Sequence, residues 1–264
     1  GAKRFISGNR CERPLGGDKN VEIPNLYTYK HDRSFDYESI PRAEAKRGCI
    51  GIPRVLNIYE NYPFWHTLLT ELGFSVLISP PSSKALYEKG LEAIPSESAC
   101  YPAKIVHGHI SWLIEQKPDI IFYPCIPYEQ QEFASSNNHF NCPIVTSYPE
   151  VVRHNTEALK NSEILYRNPF FNLADRDYLY LRVYEEFRKD FPDLKKSEVK
   201  KATEKAFAQR DLYKADIRKA GDEALAYMKK HGIRGIVLAG RPYHVGHEIN
   251  HGIPEMITGF GVAV

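Results

Sequence analysis

The sequence predicts an α/β fold, and three observations carry that prediction. Short apolar runs of strand length alternate with helix-periodic segments over residues 51–160, the pattern of a parallel sheet covered by helices. From about residue 174 to Gly232 the apolar positions recur at helical spacing with no strand between them. At 234–264 a strand-like run, a helical stretch and a second strand-like run return. The expected architecture is therefore a Rossmann-like parallel sheet sandwich, a helical connector and a truncated second α/β unit. The segments are an extended N-terminal arm (1–50), a cysteine-bearing α/β domain (51–160), the connector (161–233) and the start of the second unit (234–264).

The arm is polar, broken by Gly and Pro, and holds no sustained strand or helix period. RVLNIY (54–59) reads as a buried strand, NYPFWHTLLTELG (61–73) as an amphipathic helix stopped by a glycine, and FSVLIS (74–79) as a second strand. SSKALYEKG carries a short helix and AKIVHGHISWLIEQ (103–116) a longer one. DIIFYP (119–124) and PIVTS (143–147) read as strands. In the connector, Tyr180, Val183, Tyr184, Phe187 and Phe191 mark one face of a helix that Pro192 ends. Ser197 is the expected cap of a second helix, whose apolar positions from Val199 to Tyr227 run to the Lys229-Lys230-His231-Gly232 stop. GIVLAG (235–240) then reads as a strand, HEINHGIPEMITGFG as a helix and GVAV as a last strand.

The 264 residues suffice for one large or two modest domains. Basic residues exceed acidic ones by only two, 35 against 33, so no general positive field points to nucleic acid or an anionic membrane. The longest apolar runs are strand-sized, well under the roughly 20 residues of a membrane span. The N-terminus GAKRFISGNRCERPLGG has no apolar signal-peptide core. The expected location is cytoplasmic. Oligomeric state is left open.

Five cysteines, an odd number with no CxxC pair, do not read as a disulfide framework. Cys100 precedes a helix and Cys125 follows the strand DIIFYP, so both belong at the carboxyl edge of the parallel sheet, where α/β folds bind ligands. Cys142 precedes a predicted strand and reaches that edge only if the loop from 125 to 142 folds back over the sheet. A helix N-terminus favours the thiolate, the metal-ligating form. The spacing accords with inert buried thiols, with zinc, or with three thiolates holding a [4Fe–4S] cluster and leaving one iron open.

The longer motifs narrow these alternatives. IGIPRVLNIYENYPFWHTLLTELGFSVLISPPSSKALYEKGLEAIPSESACYPAKIVHGHI, DIIFYPCIPYE, NCPIVTSYPEV and LAGRPYHVGHEINHGIPEMI resemble the non-activase portion of large bacterial acyl-CoA dehydratase activase-related proteins, the CoA-substrate-specific enzyme activases. That portion is similar in turn to the cluster-bearing subunits of 2-hydroxyacyl-CoA dehydratases. The resemblance covers about residues 50–160 and 234–264. It implies a [4Fe–4S] cluster on Cys100, Cys125 and Cys142, an ATP-dependent activator that donates one electron, and radical elimination of water from an acyl-CoA substrate. The chain has no phosphate-binding loop, so the activator is expected on other sequence. The alternative is a cluster-free module that binds acyl-CoA or docks onto the activator.

Glu97, Lys104, Tyr128 and Glu129 flank the cysteines as candidates for tuning the site or contacting substrate. Arg241, in the polar loop GRPYHVGHEIN, is expected to face an anion such as a CoA phosphate or to lie against the first domain's site, the alternative being a merely solvated loop. HEINH matches the zinc-protease pattern, but Gly252 and Pro254 are expected to break that helix. His107 and His109 are two apart on a helix and cannot chelate one ion together; one is a candidate to approach the cysteine edge, and the favoured reading is a capped or surface position. Cys11 reads as the last ligand of a cluster completed upstream, and Cys49 as structural.

Overall fold

The computed structural model describes residues 22–264. Cys11 and the first 21 residues of the predicted arm lie outside them. The described end of the arm is not extended: it forms helix α1 (Leu26–Phe35), capped by Asn25, whose side-chain oxygen accepts from the Thr28 N–H at 3.1 Å.

Strand β1 is Cys49–Ile52, not RVLNIY. Pro53 lacks the N–H a ladder needs, and the chain turns there, with Leu56 at φ 44°. Helix α2 (Ile58–Glu71) follows, then β2 (Ser75–Ile78), α3 (Lys84–Lys89), α4 (Tyr101–Lys104) and α5 (Val106–Gln116). Next come β3 (Ile120–Phe122), β4 (Cys125–Tyr128), α6 (Pro143–Asn155), α7 (Glu157–Lys160), β5 (Leu165–Arg167) and β6 (Phe170–Asn172). The connector is α8 (Leu179–Phe187) and the 36-residue α9 (Lys196–His231). The expected Ser197 cap lies inside α9, whose N-cap is Lys195, while Gly232 ends it in the left-handed conformation as predicted.

The main sheet is parallel in the order β2-β1-β3-β5, with Cys49 opposite Ser75, Ile50 opposite Ile120 and Ile120 opposite Leu165. β4 and β6 form a second, two-stranded parallel sheet. Because β1 has β2 on one side and β3 on the other, the chain reverses its progression there, and the crevice of such a sheet lies at the carboxyl ends of those two strands. One core joins α2, the sheet and the connector: Trp65 meets Phe122 at 5.2 Å and Phe64 meets Phe207 on α9 at 4.7 Å between ring centroids. On the far side α3 and α5 touch backbone to backbone, since a Cβ on Gly108 would lie 1.8 Å from the Leu86 carbonyl oxygen.

The largest departure concerns PIVTS. The β-branched run suggests a strand, yet it opens α6, with Cys142 as N-cap and Pro143 in the first turn, where a missing N–H costs nothing. Val145, Tyr148, Pro149 and Val152 supply the buried helical stripe. In the second unit GIVLAG forms no strand. Gly235 and Ala263 make one parallel bridge, and Val237 is 96% exposed. The predicted helix there splits into α10 (His247–Asn250) and α11 (Ile253–Gly259), because His251 and Gly252 both take positive φ.

Candidate functional site

Helix α6 changes the position of Cys142. A helix that leads into a parallel strand begins at the sheet's carboxyl edge, so Cys142 sits at the same edge as Cys100, the N-cap of α4, and Cys125, which begins β4 just beyond β3. The topological obstacle to a three-thiol rim is thereby removed. Helix α6 lies against both α4 and β4.

The side chains around the thiols link them. The Tyr243 phenol is raised by burial and by the neighbouring Cys142 and Cys100 thiols. Tyr148 is pushed up to about 12 by burial, with Cys100 as the second cause, and burial raises Tyr123 with Cys125 beside it. Cys100 is exposed, Cys142 half-buried and Cys125 fully buried. Burial pushes the Cys125 thiol up to about 12, with Glu150 adding to the shift, so with no cation beside it this sulfur is a neutral thiol. The thiolate expected at that edge therefore needs a positive partner at Cys125.

No three of the described His, Cys, Asp or Glu residues gather closely enough to hold a metal ion. A cubane takes one thiolate per iron, so its ligands stand farther apart than those of a single ion. The donor set, three thiols on one rim with Cys100 and Cys142 sharing the neighbour Tyr243, fits a cluster in chemistry and topology.

Among the flanking candidates, Glu129 points inward. Its Oε1 accepts from the Asn61 amide at 2.8 Å and from the Asn141 amide at 2.9 Å, and Arg210 stands 3.7 Å from its Oε2. Burial raises this carboxyl and Arg210 opposes the shift. It latches the 129–142 loop instead of lying open to a substrate. Glu97 and Lys104 pair with each other at 3.7 Å beside Cys100, Glu97 being fully exposed. The Tyr128 ring, at the end of β4, packs against Phe140 of the loop at 4.7 Å in a tilted arrangement.

The loop GRPYHVGHEIN lies against the first domain's carboxyl edge. The Tyr101 hydroxyl donates to Glu248 at 2.7 Å, and a Cβ on Gly246 would meet the Tyr59 hydroxyl at 2.8 Å. Arg241 is exposed near Tyr243 and borders an apolar groove of ≈ 590 Å³ between α1, α9 and the second unit. The zinc-protease reading of HEINH fails on geometry: Glu248 is bound to Tyr101, His247 lies 3.3 Å from Glu255, and His251 is already outside α10.

His107 and His109 are buried, not on the surface. His109 bonds Ser79 Oγ at 2.7 Å and Ser82 Oγ at 2.9 Å, and His107 Nε2 meets the Tyr148 hydroxyl at 3.2 Å. Burial lowers them to about 3 and about 4. Sequence reasoning also missed Arg210, fully buried in α9. Only a basic residue falling among the inward positions Ala206 and Tyr213 signals it.

The fold and this edge define an α/β protein with a Rossmann-like parallel sheet and a thiol-bearing rim roofed by a second unit. Residues 49–264 match the family described as CoA enzyme activase uncharacterised domain (DUF2229), and the chain belongs to that family. No curated protein and no solved structure matches the chain significantly. No helix among the described residues is long and apolar enough to cross a membrane.

Proposed function

We propose that this CoA enzyme activase domain is the iron–sulfur module of a 2-hydroxyacyl-CoA dehydratase- or activase-like redox system, with Cys100, Cys125 and Cys142 as the ligands of a [4Fe–4S] cluster and an ATP-dependent activator as electron donor. The observation that supports it most is helix α6, which brings the third thiol to the edge shared by the other two. When bound, the cluster supplies one-electron transfer and an open iron position for a substrate oxygen. The chain's own residues hold and shield it. Cys125 gives a sulfur from the interior, Cys100 and Cys142 close the rim from two helix N-termini, and Tyr243 with the Tyr101–Glu248 bond holds the second unit's loop over the thiols.

The test is anaerobic preparation with iron and acid-labile sulfide analysis. About four irons per chain are expected, falling in Cys100→Ser, Cys125→Ser and Cys142→Ser but not in Cys49→Ser. Retention of full iron in any of the three rim variants rejects the assignment.

A cluster-free reading, in which the domain binds an acyl-CoA or docks onto the activator, has one observation in its favour. The ≈ 590 Å³ groove is lined by Leu26, Leu225, Met228 and Val245 together with Arg241 and with Lys30, which pairs with Glu60 at 3.1 Å, an apolar channel suited to an acyl chain with Arg241 as a cation for a phosphate.

A further inference from the structure

The end of α8, the turn after it and the first two turns of α9 read RKDFPDLKKSEVKK over 188–201, six basic residues against three acidic. All three acids are drawn onto arginines beside the main sheet. Asp190 accepts from Arg167 Nε at 2.7 Å, and Asp193 and Glu198 pair with Arg47 at 3.5 and 2.7 Å. Lys189 is engaged by Glu186 at 2.6 Å. That leaves Arg188, Lys195, Lys196, Lys200 and Lys201, all exposed, and among the described residues none of the five makes an ion pair. Glu204, one turn further along α9, pairs with none of them. The whole chain carries a net charge of only +2, so this is a local concentration of charge and not a general field.

The arrangement breaks two local rules. Lys196 and Lys200 are like charges at i, i+4, which repel, and both ammonium groups lie over the same Tyr180 ring, 5.9 and 5.7 Å from its centroid. Four of the five cations also stand at the beginning of α9, where the macrodipole favours anions, and no side chain caps that end. Glu198, the acid of the first turn, is held by Arg47. Arg188 extends the strip, with its guanidinium 5.4 Å over Tyr184, one turn along α8 from Tyr180. Cations resting on fixed rings have less freedom to lose when a partner binds. Local rules broken together at a surface mark a functional face.

We propose that this strip is an interaction surface for an acidic segment of a protein partner, whose carboxylates supply the anions that Arg188, Lys195, Lys196, Lys200 and Lys201 lack. Charge complementarity sets the class of partner. Tyr180 and Tyr184 pack on the core beneath and carry the cations above, so no ring face is open for a base to stack on. No large apolar side chain is exposed between residues 179 and 211 to enter a lipid surface. Arg47, which grips the start of α9, stands two residues before β1, so the strip lies toward the sheet's amino edge, opposite the thiol rim. It needs no iron, and its failure and that of the cluster reading are read independently.

The test is fluorescence anisotropy of a fluorescein-labelled polyglutamate peptide titrated with the 264-residue chain, with oligothymidylate and phosphatidylserine vesicles as parallel arms. Saturable peptide binding that weakens as salt rises is expected. Lys196→Gln together with Lys200→Gln should weaken it at least tenfold. The same change of net charge made by Lys84→Gln with Lys219→Gln, two exposed lysines elsewhere, should leave it within twofold. Both double variants are checked for native circular dichroism; should the first fail to fold, Arg188→Gln, expected to weaken binding by itself, takes its place. No saturation, equal loss in the two double variants, or tighter binding to oligothymidylate or to the vesicles overturns the proposal.

Discussion

The Glu129 carboxylate accepts a hydrogen bond from the side-chain amide of Asn141 at 2.9 Å, one residue before the rim thiol Cys142. The same oxygen accepts from Asn61 on α2, and the second oxygen faces Arg210 on α9. Two separate helices, α2 and α9, thus fix the loop that presents Cys142.

Glu129→Ala removes the only ion-pair partner of Arg210 among the described residues and leaves a fully buried guanidinium uncompensated. Unfolding free energy should fall by roughly 3 kcal/mol, measured by urea denaturation. Glu129→Gln, which can still accept from both asparagines, should cost less. With the loop released, Cys142 should also react faster with a thiol reagent, read by mass spectrometry of the labelled peptide. An unchanged rate would remove the latch role.

Gly108→Ala places a methyl 1.8 Å from the Leu86 carbonyl oxygen, a backbone atom with no rotamer to yield. Helices α3 and α5 must separate, at a cost of about 1–3 kcal/mol. Thermal unfolding of this variant beside Gly221→Ala, whose added Cβ meets nothing within 4 Å, isolates the effect of close approach from that of glycine flexibility. Gly221→Ala should gain stability, being inside α9.

Stability should fall as pH drops below neutrality. Burial lowers His66 and His107 to about 4 and His109 to about 3, whereas in the unfolded chain each titrates near its ordinary value of about 6.5. Between these values the unfolded state binds more protons than the native one, so unfolding free energy rises with pH there. The contribution is complete above about pH 6.5 and is lost as pH falls through 6.5 toward 4, by up to about 1.4 kcal/mol per histidine per pH unit. Urea midpoints at pH 7.5, 6 and 5 check it. His109→Gln should flatten the slope.

Lys117 ends α5 in the left-handed conformation at φ 50°, its N–H donating to the Ile114 carbonyl at 3.1 Å. Lys117→Gly relieves the side chain's conflict with that backbone and should stabilise the chain by about 0.5–1 kcal/mol, seen as a higher Tm.

The α/β class, the short helix capped by Ser83, the strands near 75 and 120, and the Gly232 stop were legible because each rests on local signals. The errors cluster where a β-branched or apolar run meets proline. At 143–147 the proline in the first helical turn and the Val145, Tyr148, Val152 spacing outweigh the strand propensity of Ile144-Val145-Thr146. At 54–59, Pro53 had already ended the ladder. GIVLAG has strand composition without a strand because pairing depends on neighbours, and only Ala263 supplies one rung. At the site, the edge shared by Cys100 and Cys125 was legible from the strand and helix order, but Cys142's place at it was not, since that depends on α6. The inward turn of Glu129 depends on Arg210, which lies 81 positions away in sequence and leaves no local trace.

Helix α9 has 36 residues and so runs for about 54 Å. Near its middle it holds the thiol loop through Arg210 to Glu129 and Lys214 to Glu132, and toward its end Leu225 and Met228 wall the apolar groove. One rigid element therefore fixes the spacing between the apolar groove and the loop that presents Cys142.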